Sequence, residues 1–512
     1  MELHMFGAIY VGSYEVSLKV FEFNSKKKIH ELDFIRARMD LGSSILETGS
    51  IDYKQVDELC DTLKEFVHIL EGYRVTDYEA YASPVFDDAD NLLFTLNQIR
   101  LYTGVNIRVM TNAENRFLSY RTVAERKQFE DMIQKSAAVV DIGGTAAQIT
   151  IFRKGEIVTT QNMGIGSVRI HSLWTEGHTQ NYYQAQTEEY IAARLGDFSG
   201  LYLDKHVDYL VVMNDYCREV VKKLEKDPQD ESLIESERFV KYIDKLLAKD
   251  VGSISEELEL TDEEDELIMP SLILFKQMVN MTGAKEVWSP KLSIADGIAR
   301  AYGLSHKLIR STHDYDRDVI SASYQIAKHY HCEDVQMEAL VVKIFDTIRK
   351  MHGLGKRERL LLRVASILQD CGKYVSLSDS ANCSHNIIMF SEIIGLSYTE
   401  RQVVALTVLY NTLELPDYEY MADEIDQDHY LIVAKLSAIL RVANALNQSH
   451  QKKFTDMRIQ AKGRELIFTV EATQDISLEQ ELFEAKTSYF ETVFGMKPIL
   501  RKKRVYNVAV QG

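Results

Sequence analysis

Apolar and polar positions along the first half of the chain alternate between the period of a strand and that of a helix. Phe6–Val11 and Val16–Glu22 are predicted as two strands on either side of a glycine turn, and Ile29–Arg36 as a third. A helix is predicted next, because apolar residues from Val56 to Leu70 recur at steps of three and four. This alternation is typical of an α/β fold.

The same order begins again near the middle of the first half. Ala137–Asp141 is predicted as a strand, and it is followed by Gly143-Gly144 and by a second strand, Gln148–Phe152. Tyr209–Met213 is predicted as a later strand of this second unit. Two successive units that each open with strand, glycine turn and strand predict a duplicated α/β domain with a cleft between the copies.

From about Asp314 onward, helical patterns follow one another with short turns. The last segment is mixed again, with a hairpin predicted around Lys462-Gly463 and closing strands over Pro498–Val508. The predicted organisation is therefore an α/β lobe over residues 1–125, a second lobe over 126–310, a helical domain over 311–452 and a small α+β domain over 453–512.

Charge and cysteine content restrict the function. A formal net charge of −18 on 512 residues argues against a protein that sheathes nucleic acid or polyphosphate, because binding a polyanion needs clustered cations. A local basic pocket inside an acidic protein stays open. No apolar run is long enough to cross a bilayer, so no membrane partner is expected. Reduced thiols in a cytoplasmic protein are predicted, because the cysteines are scattered and odd in number: Cys60, Cys217, Cys332, Cys371 and Cys383.

The strand that ends at Asp141 runs directly into Gly143-Gly144-Thr145. Glycines allow backbone N–H groups to approach a phosphate, which a Cβ atom would obstruct. A carboxylate at the strand end can hold hydrated Mg²⁺ or orient water. An ordinary turn between two strands has the same sequence pattern, so both interpretations stay open on spacing alone.

Glu114 lies where a predicted strand passes into a helix, three residues after Thr111. A carboxylate at this place can act as a general base on an attacking water. The same spacing is that of a capping box, in which Glu114 accepts a hydrogen bond from the helix start. Spacing by itself favours the capping box.

Two further segments have less specific patterns. Gly164-Ile165-Gly166 followed by Arg169 is either a phosphate-binding turn with a cation or an ordinary turn. Asp370 and His385 are metal-binding residue types, but a metal site needs more ligands at defined spacing. A packed helical core is therefore the favoured interpretation of the segment around Asp370 and His385.

In order and spacing, segments along essentially the whole chain resemble the exopolyphosphatase / guanosine pentaphosphate phosphohydrolase family. The order and spacing of these segments together identify the family more specifically than any single motif. The set of matching segments comprises Gly12-Ser13 and residues 38–42, 82–91, 112–115, 141–145, 164–169, 296–299, 352–361, 366–372, 440–450 and 489–497.

The resemblance implies two actin/Hsp70-like (ribonuclease H-like) lobes around a phosphate cleft, then an all-α HD-like domain and a small α+β C-terminal domain. It implies a reaction in which water attacks a terminal phosphate of polyphosphate or guanosine pentaphosphate with Mg²⁺, in a family that often forms homodimers. It also implies residue roles: Glu114 as catalytic carboxylate, Asp141 as a second one that binds the metal, and a phosphate site formed by Gly12, Ser13, Gly143, Gly144, Thr145, Gly164, Gly166 and Arg169.

Several positions depart from the family's pattern. Tyr10 replaces an aspartate of the first loop, Tyr14-Glu15 replaces small polar residues, and Phe86 replaces a basic residue. Other replaced positions are Thr145-Ala146-Ala147-Gln148 for Gly-Ser-Thr-Glu, Met213-Asn214-Asp215 for Gly-Gly-Thr, Gln369-Asp370 for the His-Asp pair, and Asn444 and Asn447 for acidic residues.

These departures leave two hypotheses. If active, the protein is a Mg²⁺-dependent phosphoric anhydride hydrolase, an exopolyphosphatase or guanosine pentaphosphatase that uses Glu114 and is slowed by its altered loops. The alternative is an inactive sensor or scaffold that binds guanosine pentaphosphate, guanosine tetraphosphate or another phosphate ligand. Phe86 and Tyr14 are then candidates to stack on a base, although packed aromatic side chains are commoner.

Overall fold

The computed structural model describes residues 4–13, 15–144, 146–173, 180–225, 231–260, 265–291, 293–311, 313–447, 456–472 and 475–503. The chain divides into two compact units, Met1–Tyr315 and Asp316–Gly512. Both predicted α/β lobes fall in the first unit, and the predicted helical and C-terminal parts fall in the second.

The described part of the first unit contains a five-stranded sheet with strand order β3-β2-β1-β4-β5. Strand β1 is antiparallel to β2 and parallel to β4. The strands are β1 His4–Val11, β2 Glu15–Phe23, β3 Ile29–Arg38, β4 Asp77–Ala82 and β5 Ile107–Val109.

A second, six-stranded sheet has the order β10-β11-β9-β6-β7-β8 within the described residues. Strand β6 is antiparallel to β7 and parallel to β9, so it repeats the arrangement of β1. This repetition agrees with the predicted duplication. The strands are β6 Ser136–Ile142, β7 Ala147–Arg153, β8 Glu156–Met163, β9 Tyr209–Met213, β10 Ile234–Glu235 and β11 Glu286–Trp288.

Helices pack on both sheets and connect their strands. Helix α7 packs against α11, and both contribute to the core of the second sheet. The described helices of this unit are α1 Gly42–Thr48, α2 Tyr53–Gly72, α3 Leu92–Thr103, α4 Asn112–Ala124, α5 Lys127–Lys135, α6 Ser167–Ser172, α7 Gln180–Tyr202, α8 Asp215–Lys222, α9 Ser236–Leu247, α10 Val251–Leu258, α11 Asp265–Thr282 and α12 Ile294–Ser305.

The first sheet buries both faces, because apolar side chains occupy successive positions of β1. Ile9 and Val11 contribute to a core that includes the apolar stripe of α2. Phe6 and Ala8 point to the opposite face and join a core formed with α12. Helix α12 comes after the second sheet in the chain, so the chain returns to the first sheet at Ile294.

Helix α12 lies within the predicted second lobe, residues 126–310, and its apolar side chains join the core of the first sheet. A buried ion pair fixes α12, because Lys19 Nζ lies 3.0 Å from Asp296 Oδ2 and 2.7 Å from Glu31 Oε2. Gly297 allows α12 to approach α4, since a Cβ there would lie 2.6 Å from the Leu118 carbonyl oxygen.

The second unit is mainly helical in its described part. Helix α19 is long and apolar enough to pass a length-and-composition test for a membrane span, but 56% of that stretch is buried, as expected for a core helix. The helices are α13 Tyr315–His329, which starts at the unit boundary, α14 Val335–Thr347, α15 Arg349–His352, α16 Lys356–Leu368, α17 Ser380–Phe390, α18 Tyr398–Leu409, α19 Gln427–Asn447 and α20 Ser477–Phe494.

A three-stranded sheet completes the second unit, with the order β12-β13-β14 in the described residues. The strands are β12 Asp456–Lys462, β13 Glu465–Glu471 and β14 Lys497–Lys503. The predicted hairpin forms around Gly463, which has a positive φ of 60°. The predicted closing strands over Pro498–Val508 are one strand as far as Lys503, and residues 504–508 lie outside the described part.

We expect Gly297→Ala to lower the free energy of unfolding by about 2 kcal/mol, because the new methyl group overlaps a backbone carbonyl of α4. Gly196→Ala, in the middle of α7, is the matched control: nothing lies within 4 Å of its Cβ position. That variant should gain up to about 1 kcal/mol of helix propensity. Urea unfolding of both variants measures the difference, and equal effects would contradict the close packing of α12 on α4.

Candidate active site

A cavity of about 280 Å³ opens where strands of both sheets end. The turn after β1 contributes Gly12 and Ser13, and the turn after β6 contributes Gly143 and Gly144. In open α/β sheets, ligands bind outside the carboxyl ends of the strands. A smaller cavity of about 90 Å³ adjoins it and is lined in part by Arg116.

The first two glycine turns are closed by their own backbone hydrogen bonds. The Gly12 N–H donates to the Glu15 carbonyl at 2.7 Å, and the Gly143 N–H donates to the Ala146 carbonyl at 3.0 Å. These two N–H groups therefore stabilise the turns and do not point at a ligand. Thr145, predicted to bind phosphate, lies outside the described residues.

The third predicted phosphate segment packs against the second turn. A Cβ at Gly166 would lie 2.2 Å from the Gly144 carbonyl oxygen, so only glycine fits there. The Ser167 and Arg169 N–H groups donate to the carbonyls of Gly143 and Gly144 at 3.3 and 3.1 Å. Ser167 lines the cavity, whereas Gly164, Gly166 and Arg169 are not among the described lining residues. This segment supports the second turn.

Asp141 is held at the end of β6, between β7 and β9. Its Oδ2 is buried and has no hydrogen-bond partner among the described residues. Burial raises the pKa of Asp141 to about 6, and Arg116 and Ser119 of α4 partly oppose that rise. Asp141 therefore presents a carboxylate oxygen in the cleft that can take up a proton or a cation.

Glu114 occupies the capping box that its spacing predicted. Its Oε2 accepts hydrogen bonds from the Thr111 N–H at 2.9 Å and from the Thr111 hydroxyl at 3.2 Å. Its Oε1 accepts one from Arg108 Nη1 at 2.7 Å. Glu114 is not among the described residues that line the cavity. The structure therefore does not bring Glu114 together with Asp141 around a common space, and its role as general base stays a prediction.

Tyr10 lines the cavity at the position where the family's pattern has an aspartate. Its hydroxyl donates to Asn115 Oδ1 at 3.2 Å. Burial raises the pKa of Tyr10 far above its ordinary value, so the side chain stays neutral. The first loop thus contributes a neutral phenol and no carboxylate at this position.

Two other altered positions have structural roles. Phe86 is 2% exposed and packs in the core beside α2, so it is not placed to stack on a ligand. Asn214 donates from Nδ2 to the Ile142 carbonyl at 3.0 Å and caps α8 by accepting from the Cys217 N–H. Tyr14 lies outside the described residues.

Sequence reasoning missed four charged residues of the cavity: Glu15, Arg36, Arg38 and Asp215. Glu15 Oε2 lies 2.9 Å from Arg36 Nη2 and 3.7 Å from Arg38 Nη1. Arg36 Nη2 also lies 3.9 Å from Asp215 Oδ2 at the start of α8. The predicted strand ended at Arg36, whereas β3 continues to Arg38, so the two arginines share one face of the observed strand.

The residues present fit one weakly held magnesium ion. No group of three or more His, Cys, Asp and Glu side chains forms a metal site in the described part of the chain. Asp141 Oδ2 is a buried carboxylate oxygen without a hydrogen-bond partner among the described residues. Glu15 Oε2, the other such oxygen of the cavity lining, lies beside the Arg36 guanidinium group. Mg²⁺ keeps several waters and shares substrate phosphates, so a single carboxylate is enough to hold it when substrate is present.

In the second unit, the altered metal positions form a network of amides. Asn444 Nδ2 donates to Gln369 Oε1 and to Asn411 Oδ1, each at 2.8 Å. Asp370 is paired instead with Lys373 at 2.8 Å. This arrangement satisfies buried polar groups without a charge and agrees with the predicted packed core.

We expect Asp141→Asn to raise stability at pH 8 by on the order of 2 kcal/mol, because it removes a buried charge. The native form of the wild type binds more protons than the unfolded form between about pH 4 and 6, so its stability falls as the pH rises through that interval. The gain of the variant should disappear below about pH 4.

Asp208→Asn is the contrasting control, since hydrogen bonds from Lys285 and Ser136 lower the pKa of Asp208. It should lose stability at pH 8 and not at low pH. Thermal unfolding of both variants from pH 3.5 to 8 is the measurement. A pH-independent effect of Asp141→Asn would contradict the raised pKa.

Models of known families match both units. The model of the Ppx/GppA phosphatase family matches residues 20–297, more than half of the chain. The model of Ppx/GppA phosphatase domain III matches residues 320–488. Exopolyphosphatase 1 of Mycobacterium bovis and that of Mycobacterium tuberculosis are each 22% identical over 168 residues, 33% of this chain and 48% of theirs. The chain thus spans about half the length of these curated relatives.

Solved structures show the same fold at low identity. The Ppx/GppA family member of Aquifex aeolicus has a TM-score of 0.51 and 17% identity, over 61% of this chain and 100% of that one. An exopolyphosphatase from Cytophaga hutchinsonii has a TM-score of 0.52 and 17% identity, over 60% of this chain and 99% of that one. The actin-like α/β fold with a helical C-terminal part, predicted from the sequence, is confirmed. With the family model extending over most of the first unit, the chain belongs to the Ppx/GppA phosphatase family.

Proposed function

We propose that the cleft at Asp141 binds the terminal phosphates of inorganic polyphosphate or guanosine pentaphosphate and hydrolyses them slowly. The observation that carries this proposal is the unpartnered Asp141 oxygen beside the Gly143-Gly144 turn, in a member of a phosphatase family. The relatives named above are exopolyphosphatases by description. A terminal phosphate is favoured as ligand because the cavity of about 280 Å³ is small.

Slow turnover follows from what the cleft lacks. Glu114 has both carboxylate oxygens engaged, and Tyr10 is a neutral phenol in the first loop. Transition-state charge in phosphoryl transfer is stabilised mainly by positioned cations and hydrogen-bond donors. Arg36 and Arg38 are the cations that line the cavity in its described part, and both lie beside Glu15.

Asp141 is the residue of this chain best placed to take part in the reaction. With a pKa of about 6, its carboxylate is mostly ionised at neutral pH and can still accept a proton. It can therefore orient water or hold the ion. Mg²⁺, when bound, would supply charge neutralisation between Asp141 and the substrate phosphates.

A second candidate function is that of an inactive phosphate or nucleotide sensor. The engagement of Glu114 favours it, because the ion pair with Arg108 and the capping box hold its carboxylate at the helix start, and Glu114 is not among the described residues that line the cavity. An inactive protein would bind the same ligands and release no phosphate.

We expect Glu114→Gln to keep phosphate release within about threefold of wild type, because glutamine also completes a capping box. Asp141→Asn should lower release by about 100-fold, the scale expected for one key polar group. The measurement is the rate of phosphate release by each variant from long-chain polyphosphate and from guanosine pentaphosphate, with Mg²⁺ present. Thermal unfolding of Glu114→Gln serves as the control for folding.

The outcomes separate the two functions. Loss of release in a folded Glu114→Gln protein would show that Glu114 acts in catalysis after leaving its capping box. No release from the wild type would support the sensor, and calorimetry with guanosine pentaphosphate and tetraphosphate would then test binding.

A further inference from the structure

The charges around the main cavity do not suit a polyanion. Its described lining contains the carboxylates of Glu15, Asp141 and Asp215 and the guanidinium groups of Arg36 and Arg38. Carboxylates thus outnumber cations in a space assigned to phosphate. A phosphate that enters it must either bring a cation or displace one of the carboxylates from the arginines.

Glu15 is placed to be that carboxylate. It begins β2 directly after the first glycine turn, and its cross-strand partner is Arg38 on β3. The register pairs Ser17 with Arg36, so both arginines project beside the Glu15 side chain. The distances of 2.9 and 3.7 Å from Glu15 Oε2 place one oxygen between the two guanidinium groups.

Glu15 Oε2 interacts with the two guanidinium groups by charge at these distances, and it has no hydrogen-bond partner among the described residues. Guanidinium groups bind carboxylate and phosphate oxygens with the same planar fork of donors. The side chain of Glu15 is 19% exposed, so water screens this ion pair less than one on the open surface. The carboxylate therefore competes directly with an incoming phosphate for Arg36 and Arg38.

We infer that Glu15 is an internal competitor of phosphate, which occupies Arg36 and Arg38 and sets the affinity of the cleft for polyphosphate ligands. The inference rests on the function proposed above. It implies that a ligand binds only by displacing Glu15 from the arginines or by bringing divalent cations that offset its charge.

Glu15→Gln tests this inference with inorganic tripolyphosphate as the probe. The variant should bind tripolyphosphate about tenfold more tightly than wild type at low ionic strength, and the difference should shrink as salt is added. Glu15→Gln/Arg36→Gln should lose the gain. Calorimetry with and without Mg²⁺ measures the affinities, and Glu15→Ala, which also removes the charge, is a second variant.

Glu22→Gln is the matched control. It removes the same charge from the same strand, seven residues and roughly 23 Å away from Glu15, at about 3.3 Å per residue. Glu22 is not among the described residues that line the cavity. The affinity of the Glu22→Gln variant for tripolyphosphate should equal that of the wild type.

Thermal unfolding gives an independent readout. Without ligand, Glu15→Gln should unfold at a lower temperature than wild type, because two adjacent arginines lose their carboxylate. Added tripolyphosphate should raise its Tm more than that of the wild type. A purely structural role of Glu15 predicts the first effect and not the second.

The results distinguish this inference from the proposed function. Equal binding by wild type, Glu15→Gln and Glu15→Ala would overturn the inference and leave the phosphate-binding cleft in place. An equal gain in Glu22→Gln would overturn it too, because net charge alone would then explain the effect. Absence of binding by every variant would overturn both.

Discussion

The first sheet is apolar on both faces, and this constraint determines how the first unit is built. Helix α2 follows the opening strands and covers one face. The other face packs in a core to which α12 contributes, and α12 lies some 270 residues after β2 in sequence. The chain must therefore complete the second sheet and return, and the Lys19–Asp296 pair fixes the helix that returns. Strand ends of both sheets consequently contribute to one cavity.

The charge properties of Asp141 and Glu114 depend on where the strands and helices of the first unit hold their carboxylates. The place of Asp141 in β6 leaves the residue half-buried, with Oδ2 buried and unpartnered, and this desolvation raises the pKa of the carboxyl group. Glu114 is in the opposite situation, because three hydrogen bonds, two from Thr111 and one from Arg108, hold its carboxylate at the helix start. The resemblance assigns Asp141 and Glu114 to one reaction. In the structure Asp141 has an unpartnered carboxylate oxygen, whereas both carboxylate oxygens of Glu114 accept hydrogen bonds.

The sequence predicted the strands, the glycine turns and the capping box, because each depends on local spacing. Strand Tyr209–Met213 has the predicted bounds. The return of α12 was not predictable in the same way, since an apolar helical stripe does not specify which sheet it covers. The Glu15–Arg36 contact depends on the register of β2 with β3. The sequence could not show whether Gly166 and Arg169 bind phosphate, because the contact of Gly166 with Gly144 joins two turns that are distant in sequence.

The amide network of Gln369, Asn411 and Asn444 has a consequence for how this protein can change over time. Each amide satisfies the others without a charge. A single replacement by histidine or aspartate would leave an unmatched polar or charged group in a buried place, at a cost of a few kcal/mol. A metal centre at this place would therefore need several substitutions made together. Because each single substitution on that route destabilises the fold, the amide network makes it difficult for selection to build a metal site in the helical unit one residue at a time.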